Sequence, residues 1–128
     1  MQNVYPVLIY EDARAAIGFL EKAFGFEHHQ IYDGRNGAIA HAELRFGREM
    51  IMLSSASEGR EQFNQAVGSY SLYIVVDDPD AHHHRARGAG AEIVLGLRDE
   101  DYGSRGYTAR DAEGNLWSFG TYRPTQNG

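Results

Sequence analysis

Asp101-Tyr-Gly-Ser-Arg-Gly-Tyr-Thr-Ala-Arg-Asp-Ala-Glu-Gly-Asn-Leu-Trp-Ser-Phe-Gly-Thr-Tyr122 reads as loop, strand, tight turn and strand. Gly114 and Asn115 tolerate the positive φ that a tight connection demands, and β-forming residues stand on both sides, so the stretch is a hairpin. The chain before it reads as an earlier version of the same unit. If the fold is duplicated, the inward-facing residues of both copies line a cavity, and what stands there decides the chemistry.

Working outward, residues 4–10 form a β-branched and aromatic run, a first strand. Asp12 is placed to cap a helix over residues 13–24, since Ala13, Ala16, Ile17, Leu20 and Phe24 recur at helical spacing and Gly25 can end it in a left-handed conformation. Three strands follow, over residues 27–32, 39–46 and 49–54, giving the order β-α-β-β-β. Laying Leu8-Ile-Tyr-Glu-Asp12 on Ile74-Val-Val-Asp-Asp78 repeats this order at an offset of 66 residues. Asp78 then becomes the second cap, Pro79 takes the first helical position, where a missing N–H costs nothing, and Gly88 or Gly90 ends the helix. The predicted architecture is one α+β domain over residues 1–128, made of module 1 (about residues 1–56) and module 2 (about residues 69–124). The polar, Gly-containing residues 55–69 join the modules as a surface linker.

The 128 residues suit one domain, and the net charge of −6 disfavours nucleic acid and anionic membranes, which are held through basic surfaces. A neutral or cationic small ligand suits that charge. With no cysteine, the chemistry must come from His, carboxylates, hydroxyls and Arg. The first residues lack a charged segment followed by an apolar run, and no apolar stretch approaches membrane-spanning length, so a cytoplasmic location is expected.

Two β-α-β-β-β modules ending in Asp111-Ala-Glu-Gly-Asn-Leu-Trp117, with strand-to-helix junctions at Asp12 and Asp78, resemble the vicinal oxygen chelate superfamily of glyoxalases, bleomycin-resistance proteins and extradiol dioxygenases. The resemblance covers nearly the whole chain. It implies curved mixed sheets enclosing a cavity, helices on the outer faces, and a homodimer that pairs or swaps modules.

Strand alternation sorts the side chains. Ala42, Leu44, Phe46, Ile51, Leu53, Trp117 and Phe119 form the helix-facing set, with the Trp117 N–H bonded to backbone or water. His41, Glu43, Arg45, Met50, Met52, Ser54, Leu116 and Ser118 then face the cavity, together with Tyr5, Val7, Ile9, Ser71, Tyr73, Thr108 and Arg110. The resemblance implies that metalloenzymes of the superfamily place His, Gln or Glu at the positions of Tyr5, Met52, Ser71 and Ser118. Hydroxyls and a thioether there are poor ligands for a divalent ion, so no metal and no cofactor are expected.

His82-His83-His84 does not make a metal site either, because neighbours on a helix diverge by about 100°. It reads as a solvated or half-buried helix face. His28-His29 on a strand point to opposite faces. His41 and Glu43 share the cavity face and are the candidate catalytic pair, an imidazole oriented by a carboxylate. The alternative is that Glu43 merely balances Arg45 or Arg110. Tyr102 and Arg105, in the acidic and aromatic loop before strand seven, are candidates for stacking on a flat or cationic ligand at the cavity rim. The expected function is metal-independent binding of an apolar or aromatic compound, cationic ones included. The alternative is a glyoxalase- or dioxygenase-type enzyme, either metal-dependent or using His41 and Glu43 for acid–base work, with Tyr5 beside them.

Overall fold

A computed structural model describes residues 2–56 and 67–124. Most of the expected linker, residues 57–66, lies outside the described residues. Module 1 comprises β1 (Val7–Tyr10), α1 (Ala13–Phe19) with a π-helical continuation (Leu20–Phe24), β2 (Glu27–Asp33), β3 (Ile39–Phe46) and β4 (Glu49–Ser55). Module 2 comprises β5 (Ser71–Val75), α2 (Pro79–Gly88), β6 (Glu92–Asp99), β7 (Arg105–Arg110) and β8 (Leu116–Gly120). The strands form two four-stranded mixed sheets of matching order, β1-β4-β3-β2 and β5-β8-β7-β6, and neither sheet closes. In each, the first strand runs parallel to the last and the other pairs are antiparallel.

The caps form as the sequence dictates. Asp12 Oδ1 accepts the Ala15 N–H at 3.0 Å and Asp78 Oδ1 accepts that of Ala81 at 3.1 Å. Gly25 ends the first helix at φ 89°, a conformation that costs a glycine nothing. Two boundaries differ from the sequence reading. β1 begins at Val7 instead of residue 4, because Pro6 has no N–H to give a ladder. The preceding arm is held by Gln2, whose amide donates to the Met50 carbonyl at 2.8 Å and accepts the Met50 N–H at 2.6 Å. The first helix reaches Phe24 as expected, but its last five residues are π-helical. There Phe24 is fully buried, its ring 5.6 Å from Trp117 and 4.8 Å from Phe119 of module 2.

Alternation is obeyed in both sheets, and one face of each enters a single shared core. Ala42, Leu44, Ile51 and Leu53 from module 1 and Tyr107, Ala109, Trp117 and Phe119 from module 2 are all buried in it, with Ile17, Leu20 and Ala86 from the helices. Since both helix-covered faces meet there, the other face of each sheet looks away from its counterpart. We call these the open faces.

Polar groups tie the modules together across that core. Asp111, 5% exposed, accepts the Tyr10 O–H at 2.7 Å, the Trp117 indole N–H at 3.0 Å and the Asn115 amide at 3.1 Å. The Trp117 partner is therefore a carboxylate, in place of the expected backbone or water. Glu113 accepts the N–H groups of Glu11 and Asp12 at 2.7 and 2.8 Å, so the hairpin of module 2 caps the strand-to-helix turn of module 1. His82 is half-buried between the modules, its Nε2 on the Phe24 carbonyl at 2.8 Å and its Nδ1 on the Tyr107 hydroxyl at 2.6 Å. A carbonyl only accepts, so Nε2 carries the proton and Nδ1 accepts from Tyr107. Burial raises the Tyr107 phenol above its ordinary value, which keeps that proton in place.

Candidate functional site

Cross-strand register builds the open face of module 1 in rows. Val7, Met52, Glu43 and Gln30 are successive partners across the sheet, and Met50, Arg45 and Glu27 form the next row. His41 stands beside Tyr32, its partner on β2, with ring centres 6.0 Å apart. His41 Nε2 lies 3.0 Å from Glu43 Oε2, with both side chains about one-third exposed at 39% and 30%. Glu43 thus pairs with His41 and not with Arg45 or Arg110, while Arg110 pairs with Glu92 at 3.5 Å. Adjacent residues of like facing on a strand stand about two residue rises apart, which lets an imidazole reach a carboxylate without distorting the backbone. Ile9 and Ser54 lie on this side too, yet both are buried, and the Ser54 Oγ has no hydrogen-bond partner among the described residues.

On module 2 the matching rows are Ser71, Leu116, Arg110 and Glu92, then Tyr73, Ser118, Thr108 and Leu95. Ser118 Oγ and Thr108 Oγ1 are 2.8 Å apart and satisfy one another. Beside them is a cavity of about 210 Å³, bordered by Tyr73, Tyr102, Thr108, Ser118, Arg98 and Glu100. Tyr73 donates its hydroxyl to the Tyr122 carbonyl at 2.7 Å, and burial pushes its phenol up, so it remains a donor. Tyr102 is exposed and meets Tyr122 edge to face at 5.4 Å. This fixes one aromatic edge of the cavity.

Arg105 does not join this group. It lies on the opposite side of β7, where its guanidinium takes Asp80 of α2 at 2.7 and 3.2 Å and sits 3.4 Å from Asp99. Odd-numbered β7 residues face the helix, so the alternation that places Thr108 and Arg110 inward places Arg105 outward. Tyr5 precedes β1 and gives its hydroxyl to the Gln2 carbonyl at 3.1 Å. The cavity also uses residues that sequence reasoning passes over. Gly96, Gly106 and Gly120 line its floor, and Arg98 and Glu100, paired at 2.6 Å, close one side. A methyl group on Gly106 would collide with the Phe119 carbonyl oxygen, and one on Gly120 would stand 3.0 Å from the Tyr73 hydroxyl. Glycines inside strands are a legible signal of close approach and would have pointed here.

The structure thus gathers two half-sites, not one. His41, Glu43, Met50, Met52 and Val7 share the open face of module 1, and Ser71, Tyr73, Thr108, Arg110, Leu116 and Ser118 that of module 2. The positions where the superfamily resemblance implies metal ligands hold Tyr5, Met52, Ser71 and Ser118, and these donors do not fit a divalent ion. Among the described residues no three of His, Cys, Asp and Glu converge as a metal would require. A base is available in His41, oriented by Glu43. A ring-sized recess with hydroxyls at its base is available in module 2.

Comparison with known proteins identifies the family. An uncharacterised protein of Mycobacterium bovis is 32% identical over 121 residues, covering 90% of this chain and 80% of its own length. Among solved structures, TioX from Micromonospora sp. ML1 superposes with a TM-score of 0.77 at 30% identity, covering 94% of this chain and 100% of its own. An integron cassette protein from V. cholerae superposes with a TM-score of 0.69 at 26% identity, covering 96% of this chain and 98% of its own. Residues 4–119 match the family model described as Glyoxalase/Bleomycin resistance protein/Dioxygenase superfamily, and the chain belongs to that family.

Proposed function

We propose that this protein binds an apolar or aromatic small molecule, cationic ones included, on its open faces without a metal ion, and that binding is its activity. The observation that carries the reading is the makeup of the module 2 recess: Tyr73 and Tyr102 at its edges, glycines on its floor and the Thr108–Ser118 hydroxyl pair at its base. A flat ring can lie against backbone where glycines leave it bare and stack beside tyrosine. The superfamily position that would offer a ligand to a metal is Ser118, already satisfied by Thr108. The net charge of −6 favours a neutral or cationic compound over an anionic one at this surface.

Each open face is half a cup, and the two point away from each other within one chain. A homodimer that sets module 1 of one copy against module 2 of another would close both cups. The free edges of β1 and β5 support that arrangement, since each pairs on one side only. His41 and Glu43 support a second reading, a metal-free acid–base enzyme, because their 3.0 Å contact orients an imidazole on the face a ligand would meet.

One experiment separates the readings. Protein purified without a polyhistidine tag and dialysed is screened by thermal shift against aromatic and cationic compounds, and the bound compound is recovered and analysed. We expect a hit that returns chemically unchanged, loses affinity about tenfold in Tyr102→Ala, and needs no added metal. A stoichiometric divalent ion surviving dialysis would overturn the metal-free reading. A compound returned altered, with the change abolished in His41→Ala, would establish the enzyme.

A further inference from the structure

The two modules serve as an internal comparison at the seams between them. On one seam the hairpin of module 2 packs over the β1–α1 junction and leaves a cavity of about 170 Å³, lined by Tyr10, Asp12, Ala15, Ala16 and Phe19 with Asp111, Ala112 and Glu113 as its outer wall. The repeat-mates of those five inner residues are Val76, Asp78, Ala81, His82 and Arg85. They line a cavity of about 440 Å³ on the other seam. The difference in size has a covalent cause. Residues 111–115 separate β7 from β8, whereas only Gly47 and Arg48 separate β3 from β4. The shorter hairpin stops early, and Phe46 and Arg123 form the wall instead.

The missing hairpin also removes a carboxylate. Glu113 takes the N–H groups of Glu11 and Asp12 at 2.7 and 2.8 Å. Their repeat-mates Asp77 and Asp78 have N–H groups that find no acceptor among the described residues. Acidic neighbours do not bar an anion at such a turn, because Glu11 and Asp12 flank the Glu113 carboxylate in the same way. The open seam is moreover richer in cations, with Arg85 where the filled seam has Phe19. Arg123 is exposed and has no ion-pair partner among the described residues. A second cleft of about 570 Å³ adjoins the first, sharing Phe46, Val75 and Arg123 with it and continuing along Ile51, Leu72 and Ile74.

We propose that this seam is a binding site for a small amphipathic carboxylate. Its head takes the place at Asp77 and Asp78 that Glu113 takes at Glu11 and Asp12, and its apolar body runs into the cleft beyond Phe46. Arg123, at the junction of the two lobes, pairs with the head. A carboxylate held by two backbone N–H groups and a guanidinium gains charge-assisted hydrogen bonds, and the chain in the cleft gains apolar burial. The head pocket shares no lining residue with the recess at Tyr102, although the cleft beyond it reaches Tyr73, and the Asp77 and Asp78 signals report on the head pocket alone.

The test uses octanoate as the probe and isotope-labelled full-length protein observed by two-dimensional NMR. Octanoate is expected to shift the Asp77 and Asp78 amide signals saturably. Octanol, with the same chain and no charge, leaves those two signals in place. Arg123→Ala, which removes the cation, and Ala81→Trp, which fills the head pocket from an exposed helix position, each weaken octanoate binding about tenfold or more. Tyr102→Ala leaves it unchanged. No saturable shift at Asp77 and Asp78, or undiminished affinity in both seam variants, overturns the proposal.

Discussion

Ser118 and His82 show how differently a single residue reads before and after its surroundings are known. Ser118 is legible in the sequence, because its distance from Asn115 places it on the open face wherever the hairpin falls. The structure adds the Thr108 hydroxyl at 2.8 Å. His82 is one of three consecutive histidines on a helix, and nothing local distinguishes it from His83 or His84. Tertiary packing does so by setting its two nitrogens between Phe24 and Tyr107 and its ring 4.1 Å from Phe119. Burial pushes its imidazole below the ordinary histidine range; the hydrogen bond to Phe24 opposes this, and Arg85 adds to it. The folded state therefore binds fewer protons than the unfolded one as pH falls below about 6.5. The His82 contribution is full above that value and is lost as pH drops through the folded-state value. His83, lowered chiefly by burial, acts in the same direction. Urea unfolding monitored by Trp117 fluorescence from pH 7.5 downward is expected to show stability falling with acid, with a shallower fall in His82→Gln. Parallel curves for the two proteins would show that His82 is not a source of the loss.

At the scale of elements, the hairpin at residues 111–115 does more than reverse the chain. Its Gly114, at φ 104°, makes the turn, and the residue types alone require it. Only the assembled modules let Asp111 collect Tyr10, Asn115 and Trp117, and let Glu113 cap the opposite module. Replacing Asp111 strands the buried side-chain donors of Tyr10, Asn115 and Trp117 together with the buried Asn115 N–H. Asp111→Ala is expected to lower the unfolding free energy by about 3 kcal/mol, against about 1 kcal/mol for Glu113→Ala, whose two N–H partners can turn to water. Chemical denaturation measures both, and equal small losses would mean that the Asp111 cluster is not what joins the modules. Strand register is similarly half legible. Alternation sorts β3, β4, β7 and β8 correctly, but the polar surroundings of Arg105 suggest a loop, whereas it belongs to β7 and obeys that strand's alternation. The π-helical end of the first helix has no sequence signature, since the widening that buries Phe24 is recorded in the partner module and not in residues 20–24.

At the scale of the whole molecule, the proposed dimer has a direct consequence. Light scattering on the purified protein is expected to give a mass twice that of one chain. Ligand binding on the open faces should weaken on dilution as copies separate, because each cup draws on two chains. A monomer that binds its ligand at full affinity would remove the dimer from the reading. The duplication, the β-α-β-β-β order, both caps and the two-faced strands are determined by the sequence alone, because each depends on residue type and spacing within a few positions. How the modules meet is decided by tertiary structure. Which faces are buried together depends on Phe24 finding His82 and Trp117 across some 60 to 90 residues of chain, a range over which periodicity carries no information. So does the difference between the seams: the lengths of the two hairpins are plain in the sequence, but that the longer one fills a gap and the shorter leaves one emerges only once both modules share a core.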